Sequence, residues 1–153
     1  MIRTLRIDDF DEMHRAFVDA FSDYVVPMKP PPEALREMFT RRGWVPELSS
    51  GIFEDDRLVA FTVNCLEGTS GYDTGSGVIP SHRRRGLARQ TMEHSIDLLR
   101  EAGATRYALE VLEQNVAAAA MYRDVGFSET RRLDCWTLTS VPSPLRGEGR
   151  VRG

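Results

Sequence analysis

Residues 77–103 read GVIPSHRRRGLARQTMEHSIDLLREAG. A strand-like end, Val78 and Ile79, runs into three successive arginines, and Gly86, Leu87 and Ala88 follow. Beyond them Ala88, Met92, Ile96 and Leu99 recur at the spacing of a helix core face, and Gly103 stands where such a helix would stop. The first amides of a helix have no partner within it and sit at the positive end of its dipole. Gly86 puts no side chain in the way of an approaching anion, and Ala88 is small. Arg83, Arg84, Arg85 and Arg89 add charge-assisted hydrogen bonds suited to phosphate. The segment is expected to grip a pyrophosphate; taken alone, its alternative reading is a solvated basic turn.

Working outward, IRTLRI alternates as a short strand, and DDFDEMHRAFVDAF follows as a helix with Asp8 or Asp9 as N-cap. The prolines of VVPMKPPPEALREMFTRRG interrupt the chain before a second helix that starts near Pro31 or Pro32 and ends before Gly43. SGIFEDDRLVAFTVNCLEG reads as a hairpin around an acidic turn. YDTGSGVIP is a further strand in which Gly75 and Gly77 permit a bulge or a close backbone approach. After the long helix, TRYALEVL is a strand, NVAAAAMYRDVG a helix from Asn115 to Gly126, and FSETRRLDCWTL a closing strand. The order β-α-α-β-β-β-α-β-α-β predicts a mixed α/β sheet with helices on its faces.

The segment LEVLEQNVAAAAMYRDVGF holds a second cluster. Asn115 and Tyr122, seven residues apart, fall on the same side of a helix, and Glu110 precedes them on a strand. Arg83, Gly86 and Ala88 match the Gln/Arg-x-x-Gly-x-Gly/Ala signature of the GNAT superfamily of N-acetyltransferases. Asn115, Ala118, Tyr122, Gly126 and Phe127 match its later Asn-x-x-Ala and Tyr-x-x-x-Gly-Phe pattern. The chain therefore resembles that family over residues 1–139, with 140–153 a Pro/Gly/Arg-rich tail expected to be disordered.

The resemblance implies a mainly antiparallel mixed sheet, helices on both faces, and a splay between the fourth and fifth strands. It also implies acetyl-CoA as acyl donor and a primary amine of a small molecule or protein as acceptor. The donor would be held by Val78, Ile79, Arg83, Arg84, Arg85, Gly86, Leu87, Ala88, Arg89, Asn115, Ala118 and Tyr122. Val78 N–H would steady the tetrahedral oxyanion, and Tyr122 would protonate the departing thiolate. The amine must first lose a proton, and Glu110 ranks above Asp73 as the base that takes it. In a regular strand Asp73 falls on the face opposite Val78, Ser76, Thr74 and Tyr72, unless a bulge flips the register. Asp23 and Tyr24, between the first two helices, are candidate acceptor contacts. A non-catalytic acyl-CoA-binding module is the alternative function.

Composition excludes several classes. A net charge of −3 argues against a general nucleic-acid binder, and no apolar run is long enough to span a bilayer. The acidic N-terminal stretch does not read as a signal peptide. Cys65 and Cys135 form no disulfide framework, so a cytoplasmic protein with reduced thiols is expected. His14, His82 and His94 lack metal-ligand spacing, so no metal is expected. Dimers are frequent in the family, which leaves a homodimer open.

Overall fold

The computed structural model describes residues 1–24 and 28–136. The expected tail, 140–153, lies outside them, as do residues 25–27 of the connection between the first two helices and residues 137–138 of the expected last strand.

The chain opens with β1 (Ile2–Thr4), α1 (Phe10–Ala20) and α2 (Pro32–Arg42). Pro32 stands in the first turn of α2, and Gly43 ends that helix at φ 75°, a left-handed conformation that costs glycine little. β2 (Ser50–Glu54) and β3 (Arg57–Glu67) form the expected hairpin. Its two-residue turn, Asp55 and Asp56, has positive φ at both positions, the geometry that matches strand twist. β4 (Ser70–Val78), α3 (Leu87–Glu101), β5 (Arg106–Ala108) and α4 (Val116–Asp124) follow.

The sheet order is β1-β2-β3-β4-β5, antiparallel except for the parallel pair β4–β5. That last pairing covers only Ser70, Gly71 and Tyr72 of β4, so residues 73–78 run on with no β5 partner beside them. This gap is the expected splay.

The helices take opposite faces. On one, Phe17 of α1 stacks on Phe61 of β3 at 6.3 Å between centroids, and Phe39 of α2 meets Phe10 and Phe17 edge-on. Here Gly77 is a packing requirement: a Cβ on it would come within 2.8 Å of both Ala20 Cβ and the Phe61 ring. On the other face Thr91 and Ser95 of α3 meet Thr62 and Ser50 of the sheet.

Two expected strands change. The strand expected over 105–112 is ordered as β only at Arg106–Ala108, and 127–136 form no strand at all. Residues 128–132 are five polar side chains in a row, so they offer no alternating apolar face. Leu133 and Trp136 accordingly stay 53% and 61% exposed, and Val111 is exposed as well.

Candidate active site

The chain reaches α3 through two left-handed residues, Arg84 at φ 62° and Gly86 at φ 73°. Gly86 is the N-cap of α3, and no side chain caps the helix. Its first amides therefore keep no partner from within the helix and face an open surface, since a Cβ built on Gly86 meets nothing within 4 Å. Leu87 is half-buried against the core, which fixes the first turn, while Ala88 presents only a methyl group beside it.

The four arginines of this stretch are not equivalent. Arg83 donates to Asp23, to the Ala20 carbonyl at 2.9 Å and to the Val78 carbonyl at 3.4 Å. Arg89 bridges Glu93 and Asp124 at 2.8 and 2.6 Å, tying α3 to α4. Arg85 comes only within 3.8 Å of Glu54, and Arg84 has no ion pair among the described residues. Arg84 and Arg85 are the two whose charge is least engaged by the protein.

Along the open edge of β4, the Ile79 amide donates to the Val59 carbonyl across β3 at 3.0 Å. Strand alternation turns the neighbouring Val78 amide the opposite way, into the splay. Val78 is thus an aimed N–H at the mouth of the gap, and buried Ile79 holds it in register.

The register of β4 departs from a regular strand. Val63 pairs with Gly75 but Asn64 pairs with Asp73, so Thr74 is an extra residue and the strand bulges there. Asp73 is brought onto the same face as Ser76 and Val78, while Tyr72 pairs with Cys65 on the other, so Tyr72 does not share the face expected of it. The bulge is held by the carboxylate itself: Gly75 N–H donates to Asp73 Oδ1 at 2.8 Å and the Ser76 hydroxyl to Oδ2 at 2.6 Å. Only 8% of Asp73 is exposed, and burial pushes its carboxyl up to about 6 against those two hydrogen bonds.

Two phenols face this carboxyl. Burial raises the Tyr122 phenol far above its usual range, the Asp73 charge adds to the shift, and the Ser76 hydroxyl opposes it. Tyr107 of β5 is raised likewise by burial and by Asp73, and donates to Asn64 Oδ1. Both remain neutral proton donors at any physiological pH. The structure thus brings Tyr122, Asp73 and Ser76 together where β4 parts from β5, with Val78 further along the splay on the same face. Glu110 lies at its rim, exposed, beside the Tyr72 hydroxyl, whose pKa is raised by burial and by that carboxylate.

Other expected residues hold structure. Asn115 caps α4, its Oδ1 accepting from the Ala118 amide at 3.3 Å. Tyr24 packs edge-on against Phe21 at 5.1 Å, and burial raises its phenol. Asp23 is engaged by Arg83, which holds its carboxyl below the usual range. Among the described residues no group of three or more His, Cys, Asp or Glu could hold a metal, Cys65 and Cys135 are free thiols, and no helix is long and apolar enough to cross a membrane.

Sequence reasoning gave Tyr107 and Ser76 no role. Tyr107 alternates within an apolar strand pattern and looks like core, and the Ser76 link to Asp73 exists only because of the bulge. Neither has a signal in the sequence alone.

Comparison with known proteins identifies the family of this fold. Over 75 residues the chain is 39% identical to the ribosomal protein bS18-alanine N-acetyltransferase of Salmonella typhimurium, a match covering 49% of this chain and 51% of that protein. The chain spans about half the length of the curated relatives it matches. The crystal structure of the ribosomal-protein-S18-alanine N-acetyltransferase from Escherichia coli superposes with a TM-score of 0.72 at 24% identity, covering 86% of this chain and 79% of that one. A GNAT family acetyltransferase from Brucella melitensis, solved with acetyl-CoA, gives 0.67 at 19% identity, covering 84% and 82%. The model of the acetyltransferase (GNAT) family matches residues 10–127, more than three quarters of the sequence, and the chain belongs to that family.

Proposed function

We propose that this protein transfers the acetyl group of acetyl-CoA to a primary amine of a small molecule or a protein, by direct attack of the amine on the thioester. The observation that carries this reading is the uncapped, sterically open start of α3 beside a splayed strand edge. An anionic pyrophosphate fits the first, and an amide-bearing pantetheine arm fits the second. Amides of residues 84–89 would bind the pyrophosphate, with Arg84 and Arg85 adding charge. The Val78 amide would donate to the oxyanion. Tyr122, neutral and half-buried beside Ser76 and Asp73 of β4, would give its proton to the leaving sulfur.

Glu110 would take the proton of the amine. It is exposed where an amine can arrive, whereas each oxygen of Asp73 already accepts a hydrogen bond within the sheet. The names of similar proteins support both a protein α-amine and an aminoglycoside amine as acceptor classes. Residues 1–139 would act as the catalytic unit, with 140–153 dispensable for it, in a reducing cytoplasm that suits two free thiols.

The test is turnover of labelled acetyl-CoA across polyamines, aminoglycosides, amino acids and peptide N-termini, with CoA affinity measured in parallel by calorimetry. Gly86→Glu is expected to abolish measurable CoA binding in a folded protein. Tyr122→Phe should bind CoA as the wild type does while losing roughly 10²–10⁴-fold in turnover at every pH. Glu110→Gln should lose most below the acceptor's own pKa and recover above it. Normal CoA affinity in Gly86→Glu would overturn the donor site, and wild-type turnover in Tyr122→Phe would overturn the acid.

A further inference from the structure

The family signature opens with Arg83, yet the Arg83 side chain is turned toward the end of α1 and the end of β4. Its fork meets both Asp23 carboxylate oxygens, the second at 2.9 Å, and one nitrogen also donates to Ala20 O at 2.9 Å. Its Nε donates to Val78 O at 3.4 Å. A guanidinium has five N–H donors in a rigid plane, and these contacts engage four. Ala20 is the last residue of α1, where carbonyls lack partners within the helix and a cation is favoured. Directly beneath, Gly77 lets Ala20 press onto β4. One side chain therefore joins three pieces: the end of α1, the connection leading to α2, and the end of the strand that carries the Val78 amide.

We propose that Arg83 is a positioning residue rather than a phosphate ligand, and that with Asp23 it clamps the acceptor-side connection to the end of β4. The assignment of sides rests on the acetyltransferase reading above; the clamp itself does not. An exposed ion pair alone contributes little, and this pair is half-exposed. The bidentate geometry and the backbone carbonyls at both ends give the contact a defined orientation. Asp23 is thereby a strut for the connection and not a free cation contact for the amine. Lysine, a point charge without a fork, would hold only part of it.

Hydrogen exchange of the Ser22 and Tyr24 amides, which donate to Asp19 and Phe21 carbonyls, reads the clamp without any substrate. Asp23→Asn and Arg83→Gln are each expected to speed exchange there by roughly tenfold, the order set by losing one charge-assisted contact. Arg83→Lys should restore part of the protection. Affinity for CoA should stay within about twofold in Asp23→Asn and Arg83→Lys, while Arg84→Gln and Arg85→Gln weaken it and leave exchange at Tyr24 unchanged. For whichever amine of the panel is acetylated, Asp23→Asn should raise the amine KM several-fold and leave the acetyl-CoA KM alone. Unchanged exchange in Asp23→Asn overturns the clamp. A CoA affinity that falls tenfold in Arg83→Lys, with Asp23→Asn binding normally, returns Arg83 to the phosphate. A wild-type protein that binds no CoA would defeat the acetyltransferase reading while the exchange result still decides the clamp.

Discussion

The two faces of the sheet are built on different chemistry. Against α1 and α2, Phe10, Met13, Phe17, Phe39 and Phe61 form a hydrocarbon layer with edge-on and stacked rings. Against α3 the buried layer is threaded with polar groups: Ser50, Thr62, Asn64, Asp73, Thr91 and Ser95 are all buried. Their hydroxyls run in chains, Ser76 to Thr62 at 3.2 Å, Thr62 to Thr91 at 3.0 Å, Thr91 to the Ala88 carbonyl at 3.0 Å, and Ser50 to Ser95 at 2.9 Å. Among the described residues no buried side-chain polar atom is left without a partner. One face supplies stability by burial. The other spends some stability to bring a carboxyl and its hydrogen-bond chain to the splay, ending in the first turn of α3.

The hydrocarbon face should respond most strongly to truncation. Phe61 is fully buried between α1 and the Gly77 backbone, so Phe61→Ala removes a ring and leaves a cavity that rigid strands cannot close. A loss of about 3–5 kcal/mol is expected by urea unfolding. A loss below about 1 kcal/mol would mean that α1 collapses into the space, and the contrast between the faces would fail.

The polar face should respond in the opposite direction at one residue. The Asp73 carboxyl is raised to about 6 from 3.8, so it favours folding when protonated. Its contribution is fully present below about pH 4 and is lost as pH rises through about 6. Two units correspond to a cost on the order of 3 kcal/mol at pH 7 and above. Asp73→Asn keeps the shape and removes the charge, so it should be more stable than the wild type at pH 8 and equal to it near pH 4. The difference between the two unfolding free energies across pH isolates this group from Asp9 and Glu12, whose lowered values slope the other way. A difference that stays flat with pH would show that Asp73 is ionised without penalty.

The same contrast explains what could be read in advance. The apolar face was legible because burial of Met13, Phe17 and Ala20 repeats at helical spacing, and the hairpin because two strand patterns flank a polar turn. The start of α3 was legible because the helical spacing of Ala88, Met92, Ile96 and Leu99 begins directly after Gly86. The polar face was not, since Ser, Thr and Asn in a strand read as solvent-facing. Asp73 is the clearest instance. Its face turns on one extra residue, Thr74, and the sequence offered Gly75 or Gly77 equally as the place for a bulge. The hydrogen bonds from Gly75 and Ser76 to the carboxylate settle it, and these are consequences of the fold. The shortness of β5 was likewise hidden, because Leu109 and Val111 continue the alternation after the pairing has ended.

The smallest expected effect tests whether the hydroxyl chain acts as a unit. Thr62 lies between Ser76 at 3.2 Å and Thr91 at 3.0 Å, so Thr62→Val deletes the middle of the chain. In the wild type at pH 8 neither neighbour is stranded: Ser76 keeps the Asp73 carboxylate and Thr91 keeps the Ala88 carbonyl. The cost should be about 1 kcal/mol. In Asp73→Asn the amide can donate to Ser76, whose own proton then turns to Thr62 as its acceptor. Removing Thr62 in that background leaves a buried hydroxyl proton without a partner, so the same substitution should cost about 2 kcal/mol. The double-mutant cycle should therefore show a coupling of roughly 1 kcal/mol that fades below about pH 5, where protonated Asp73 already imposes the reversed chain on the wild type. Strict additivity at pH 8 would mean that the Ser76 proton finds another acceptor, and that the polar layer is a set of separate pairs.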